Sequence, residues 1–237
     1  MKQYIKYLFL SAVLLLSCGT YEKTVYLQDA GKETVTKISN YSGISIQPQD
    51  MLAIVVYSKT PELALPFNLT TMSYLSLEEK SLSVNQQDIS GYVVDKNGEI
   101  DFPTLGKLKV EGLTREELAT LIKNKLISEN YINDPIVRVQ FLNFRIFIGG
   151  EVVKPGMYEV TNDRITLLEA ITMAGDLTIH GKRDNIKIIR EKNGERKIYV
   201  VDLTKADLFN SPAYYLQQND YIYVEPNQNK IKNANRR

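Results

Sequence analysis

The chain reads as an α+β protein built from two small, β-rich domains, and two stretches predict it. In each, apolar residues alternate at a period of two, a turn follows, and a helix opens on a capping box. The first stretch runs from Gly91 to Lys125 and the second from Asn143 to Asp176. A length of 237 residues suits one large or two small domains. Apolar content of 43%, charged content of 24% and a net charge of +1 describe a globular chain without a polyanion-binding signature, so no nucleic acid is implied as a partner.

Residues 1–17 join Lys2 and Lys6 to an apolar run from Tyr7 to Leu16, too short for a membrane span and suited to a signal-peptide core. Leu15-Leu16-Ser17-Cys18 follows and resembles a bacterial lipobox, which implies that Cys18 becomes the lipidated first residue of the mature chain. Cys18 is the only cysteine, so no intrachain disulfide is possible. Two or more acyl chains there would anchor stably, as one does not. Residues 18–40 are polar and weakly patterned and are expected to be a tether without chemistry.

The first domain is expected over 41–142. Pro48-Gln49-Asp50 forms a turn ahead of a buried strand, Met51 to Val56. Residues 58 to 90 carry Pro61, Pro66 and little periodicity beyond Leu75, Leu77 and Leu82, and read as a long surface excursion. Asn97-Gly98 predicts a hairpin between Val93-Val94 and Ile100-Phe102, since both turn positions tolerate positive φ. Thr114-Arg115-Glu116-Glu117 is a capping box, followed by Leu118, Leu121, Ile122 and Leu126 on one helical face, which is expected to pack on the hairpin. Asp134 to Phe141 closes the domain with one more strand.

The second domain is expected over 143–226. Phe144, Ile146 and Ile148 alternate with Arg145, Phe147 and Gly149; Lys154-Pro155-Gly156 then reverses the chain, with Gly156 expected at positive φ like Gly98. Thr166-Leu167-Leu168-Glu169 caps a short helix whose apolar side is Leu168, Ile171 and Met173, with Ala170 and Ala174 allowing close approach and Gly175 as the stop. Ile186 to Ile189 and Lys197 to Leu203 form a hairpin about Asn193-Gly194. Gln217-Gln218-Asn219-Asp220 precedes the last strand, Tyr221 to Val224, and echoes Gln49-Asp50 in the first domain.

"GEVVKPGMYEV" and "TLLEAITMAG" resemble the soluble-ligand-binding β-grasp module of bacterial polysaccharide export proteins of the Wza type, through Gly150, Glu151, Pro155, Gly156, Thr166, Glu169 and Gly175. The run from Asn97 and Gly98 through Pro103, Gly106, Gly112, Thr114 and Glu117 resembles the export domain that precedes it in that family. The resemblance implies a small export domain with a packed helix, followed by a β-grasp, ubiquitin-like domain. It also implies a lipid-anchored, periplasm-facing subunit of an outer-membrane channel for capsular or extracellular polysaccharide. Its implied partners are the polysaccharide, further copies in a homo-oligomeric ring, and an inner-membrane copolymerase with a tyrosine-kinase partner. The alternative is a monomeric surface lipoprotein that binds glycans.

Catalytic chemistry is not indicated. His180 is the only histidine and has no nucleophile elbow beside it; HExxH and Cys/His clusters are missing, and Gly149-Gly150 lacks phosphate-loop spacing, so no metal or cofactor is expected. Glu116-Glu117 sits in a first helical turn, where it complements the dipole. Among the 15 tyrosines, Tyr214-Tyr215 and Tyr221 with Tyr223 read as strand residues rather than sugar platforms. Residues 227–237 are expected to be a polar, unstructured tail that cannot span a membrane as a helix; the chain is therefore expected to be shortened there or held by lipid alone.

Overall fold

The computed structural model describes residues 25–31, 43–69, 91–162, 164–192 and 194–234. Cys18, the signal segment, and Leu75, Leu77 and Leu82 lie outside the described residues.

In the first domain, β1 (Met51–Tyr57) is the central strand of an antiparallel sheet, between β2 (Tyr92–Val93) and β5 (Ile136–Phe141). β3 (Glu99–Phe102) and β4 (Gly106–Lys109) pair as a separate hairpin. The excursion after β1 is not featureless: Pro61 opens a one-turn helix, α1 (Pro61–Ala64), at the position where its missing N–H costs nothing. The main helix, α2 (Arg115–Ser128), carries the expected reciprocal cap, with Thr114 N–H donating to Glu117 Oε2 at 2.8 Å and Glu117 N–H to Thr114 Oγ1 at 3.3 Å. Such a cap contributes about 1 kcal/mol. Leu118, Ile122 and Leu126, four residues apart, are fully buried with Leu52, Ile100, Phe102 and Leu108, each burial worth about 1.5–3 kcal/mol.

The hairpin expected at Asn97-Gly98 needs correction. The reversal is there: Asp95 Oδ1 accepts from the N–H of Asn97 and Glu99, Gly98 has φ +71°, and Asp95 N–H donates to Glu99 O. Yet the strand before it ladders with β1 (Met51↔Val93), and the strand after it ladders with β4. A buried central strand upstream outcompetes the local partner, so the turn joins two sheets instead of one hairpin.

The second domain is a mixed five-stranded sheet in the order β7-β6-β10-β8-β9: β6 (Arg145–Gly150), β7 (Gly156–Glu159), β8 (Gly181–Lys192), β9 (Glu195–Val201) and β10 (Tyr221–Pro226). β10 runs parallel to β6 and antiparallel to β8, the arrangement of a β-grasp fold. One face is covered by α3 (Leu167–Met173), capped by Thr166 and Glu169 as the sequence predicts. Its buried face is Leu167, Ala170, Ile171 and, just beyond it, Ala174, the i, i+3, i+4, i+7 set. The expected stripe placed Leu168 and Met173 inward; Leu168 is only partly buried and Met173 is 42% exposed, because that stripe is off the helical period.

Gly156 is also corrected. It is the first residue of β7, outside the positive-φ set, with open space where a Cβ would stand. The glycine that the reversal requires is Gly150, at φ +89°, where an added Cβ would lie 2.1 Å from Val224 O. The five residues between them are tied to the end of α3, through Val153 N–H to Asp176 O and Lys154 N–H to Ala174 O, so Pro155 and Gly156 lead into a strand rather than forming the tight turn.

Both chain ends carry structure that the sequence reading missed. Val25 to Gly31, expected to be tether, docks on the second domain: Leu27 and Gln28 donate N–H bonds to Leu203 O and Thr204 O, and Tyr26 hydroxyl bonds Asp176 while its ring lies 5.8 Å from the Arg183 guanidinium. In place of a disordered tail, α4 (Gln228–Ala234) leans on the same domain through an ion pair of Lys230 with buried Glu151, and through Asn227 N–H to His180 O.

Candidate functional site at the domain junction

Two turns of the same construction meet where the domains join. In the first, Gln47 N–H donates to Asp50 Oδ2 at 2.8 Å and Asp50 N–H returns a bond to Gln47 O at 3.2 Å. In the second, Gln217 N–H donates to Asp220 Oδ2 at 2.8 Å and Asp220 N–H returns to Gln217 O at 3.2 Å. The residue before each aspartate is left-handed, Gln49 at φ 73° and Asn219 at φ 63°. A side-chain carboxylate clasping the start of its own turn is a standard role for Asp. The clasp launches β1 in one domain and β10 in the other.

Asn143, between β5 and β6, holds the two turns together. Its amide donates to Gln49 O at 3.1 Å and accepts from Met51 N–H at 2.9 Å on the first turn. Its carbonyl accepts from Gln218 Nε2 at 2.7 Å on the second, and Gln218 Oε1 accepts from Arg145 N–H at 2.8 Å. The segment leading into the first turn adds a seam. Ile44 is buried in the second core and Ile46 in the first, while Ser45 N–H reaches Gln217 Oε1 at 3.3 Å. Phe141 packs against both cores.

The two aspartates differ sharply in electrostatics. Asp220 is fully buried and chelated by Arg190, Nε to Oδ1 at 2.9 Å and Nη2 to Oδ2 at 2.7 Å, with Nη2 also bonding Tyr215 O. Burial raises its carboxyl above the ordinary range, and Arg190 opposes that rise. Asp50 is 1% exposed, and its Oδ1 has no hydrogen-bond partner within bonding distance among the described residues. Burial pushes the Asp50 carboxyl up to about 6, with the Gln47 N–H and the Gln218 amide pulling the other way.

The predicted turn and cap residues are spread over the scaffold rather than gathered at this junction. Asn97 and Gly98 stand at the reversal before β3; Pro103 and Gly106 bracket the β3–β4 turn, where Thr104 is at φ 67°; Gly112 precedes α2. Gly175 ends α3 at φ +76°, and Asp176 continues the turn at φ 74°. Glu151 is buried, accepting from Thr178 Oγ1 at 2.9 Å and paired with Lys230, and these bonds outweigh burial in holding its carboxyl low. No group of three His, Cys, Asp or Glu side chains is arranged to hold a metal among the described residues. No helix among them is long and apolar enough to cross a membrane.

The family described as polysaccharide biosynthesis/export protein matches residues 39–142, and the SLBB domain matches residues 144–224, meeting at Asn143. Over these two stretches the chain is similar to the polysaccharide export family. Among its curated relatives is the EPS I polysaccharide export outer membrane protein EpsA of Ralstonia solanacearum, 30% identical over 180 residues, covering 75% of this chain and 46% of the relative. The protein of the same name from Ralstonia nicotianae (strain ATCC BAA-1114 / GMI1000) is 34% identical over 145 residues, 60% of this chain and 37% of the relative. The chain thus spans less than half the length of the curated relatives it matches.

Proposed function

We propose that this chain is a non-catalytic subunit of an outer-membrane machine that exports capsular or extracellular polysaccharide. In this reading it is lipid-anchored through Cys18, faces the periplasm, assembles with its own kind into a ring, and meets an inner-membrane copolymerase with its tyrosine kinase. The observation that carries the reading is the order of two family domains on one chain, an export domain and then an SLBB domain, joined at a single residue. The junction supports it physically. Two clasped turns, one bridging asparagine and a lead-in segment shared between cores tie the pair together, which suits a subunit that must repeat identically around an axis.

Deleting the chain from its bacterium and measuring surface polysaccharide tests this. Loss of surface polymer, restored by the intact chain but not by Cys18→Ala, is the expected result. Unchanged export in the deletion strain overturns the reading, and an intact mature mass without acyl chains overturns the lipid anchor.

A further inference from the structure

The inward face of the β8–β9 hairpin changes character along its length. Ile186, Ile188 and Val201 lie in the core, but the same face continues outward as Arg190 and Lys192 on β8, and as Tyr199, Lys197 and Glu195 on β9. The hairpin therefore overhangs the domain. Beneath the overhang run Ser45 of the lead-in segment and Gln217 of the second clasped turn. A cleft of about 350 Å³ remains between them, at the junction of the two domains. That volume is within the range of small-ligand sites, which favour domain interfaces.

The walls are fixed. Gln217 is held by Ser45 N–H and by its own bond to Gly43 O at 3.4 Å, and Lys192 Nζ by Ser45 Oγ at 2.9 Å. The Arg190 charge is spent on Asp220 and its guanidinium lies 5.4 Å from the Tyr199 ring centre. Lys197 meets Glu195 only at 3.9 Å, and Lys192 rests on a neutral hydroxyl. What faces the opening is thus two ammonium groups against one carboxylate, Glu195, a net positive charge beside an amide, a hydroxyl and a phenol. An apolar ligand finds little there. Two ammonium groups suit an anion, while the amide, hydroxyl and phenol suit the ring hydroxyls of a sugar.

We propose that this cleft binds an acidic sugar unit, a carboxylated pyranose in the chain of the transported polymer. Lys192 and Lys197 take the carboxylate, and Gln217, Ser45 and Tyr199 take the sugar hydroxyls. The proposal rests on the export reading and narrows it to anionic polysaccharide.

Titration calorimetry at low ionic strength, with tetragalacturonate as the probe, tests it against maltotetraose and tetraglutamate. Tetragalacturonate should bind at least tenfold more tightly than either, and the Lys192→Gln, Lys197→Gln double variant should lose at least tenfold. Both lysines are exposed, so the double variant should melt with the parent; should it melt lower, Lys197→Gln alone provides the comparison. Equal binding of tetraglutamate would reduce the cleft to an ion-exchange patch and overturn the proposal. So would undiminished binding in the variant, or no binding of tetragalacturonate to the folded parent. Export lost on deletion without uronate binding removes only this subsite, whereas export retained on deletion removes the underlying reading.

Discussion

The Gln47–Asp50 and Gln217–Asp220 turns share backbone, clasp and position ahead of a strand, yet one carboxylate is met by an arginine and the other, among the described residues, forms no ion pair. Identical local geometry thus carries opposite electrostatic consequences. Asp220 is a buried ion pair, costly to break from one side; Asp50 is a buried anion that the fold tolerates and that protonation relieves. The first makes the second domain depend on Arg190, and the second makes the junction responsive to pH.

The largest expected effect comes from breaking the pair. Arg190→Met strands the Asp220 carboxylate and should destabilise by about 3–5 kcal/mol, read by urea denaturation. The Arg190→Met, Asp220→Asn double variant should recover part of that loss; if Arg190→Met alone melts with the parent, the pair does not hold the turn.

Strain in the strand launched by the second turn comes next. Gly150→Ala pushes a Cβ to 2.1 Å from Val224 O on β10 at a positive φ, and should cost about 3 kcal/mol from overpacking and left-handed strain together. Gly156→Ala, in open space, should stay within about 0.5 kcal/mol of the parent by thermal melt.

Asp50 gives the third test. Its folded-state pKa lies above the unfolded value of 3.8, so the folded chain binds the proton more tightly. With respect to this group the parent should be most stable below pH 3.8, lose stability as pH rises through about 6, and show the full deficit above pH 7. A rise from 3.8 to about 6 corresponds to about 2–3 kcal/mol. Asp50→Asn should flatten stability between pH 4 and 7 relative to the parent. Glu225, held down to about 2 by Lys187 and Lys182, contributes a slope of opposite sign between about 2 and its unfolded 4.5, but it does so in both proteins, so the difference between parent and Asp50→Asn isolates Asp50. Parallel curves for the two proteins would show that Asp50 is not the titrating group.

The smallest effect separates the two left-handed residues. Gln49→Gly should stabilise by up to about 1 kcal/mol, because glutamine has no special tolerance for positive φ, while Asn219→Gly should be close to neutral. A larger gain at Asn219 would invert the comparison.

What was legible in the sequence was what is local. Both capping boxes formed because Thr and Glu three residues apart need only each other. The Asn97-Gly98 reversal was equally plain, but its strand partners were not, since β2 belongs to a strand launched at Met51, far upstream. Pro155-Gly156 was misread because a Pro-Gly pair describes a turn equally well whether it reverses the chain or merely enters a strand. At the junction, the echo between Gln49-Asp50 and Asn219-Asp220 was visible as spelling. The bridging Asn143 and the discriminating Arg190 were not, because nothing in their neighbourhoods marks a contact 30 to 94 residues away.

The docked N-terminal segment has a mechanical consequence. Only six residues lie between Cys18 and Val25, and the seven steps from one to the other span at most about 25 Å. A lipid on Cys18 would therefore hold the SLBB domain on a short leash, because Tyr26, Leu27 and Gln28 fasten to that domain before the chain reaches the export domain. Tension from the membrane would be borne in shear by the Leu27–Leu203 and Gln28–Thr204 bonds. The clasped junction behind them would stay unloaded.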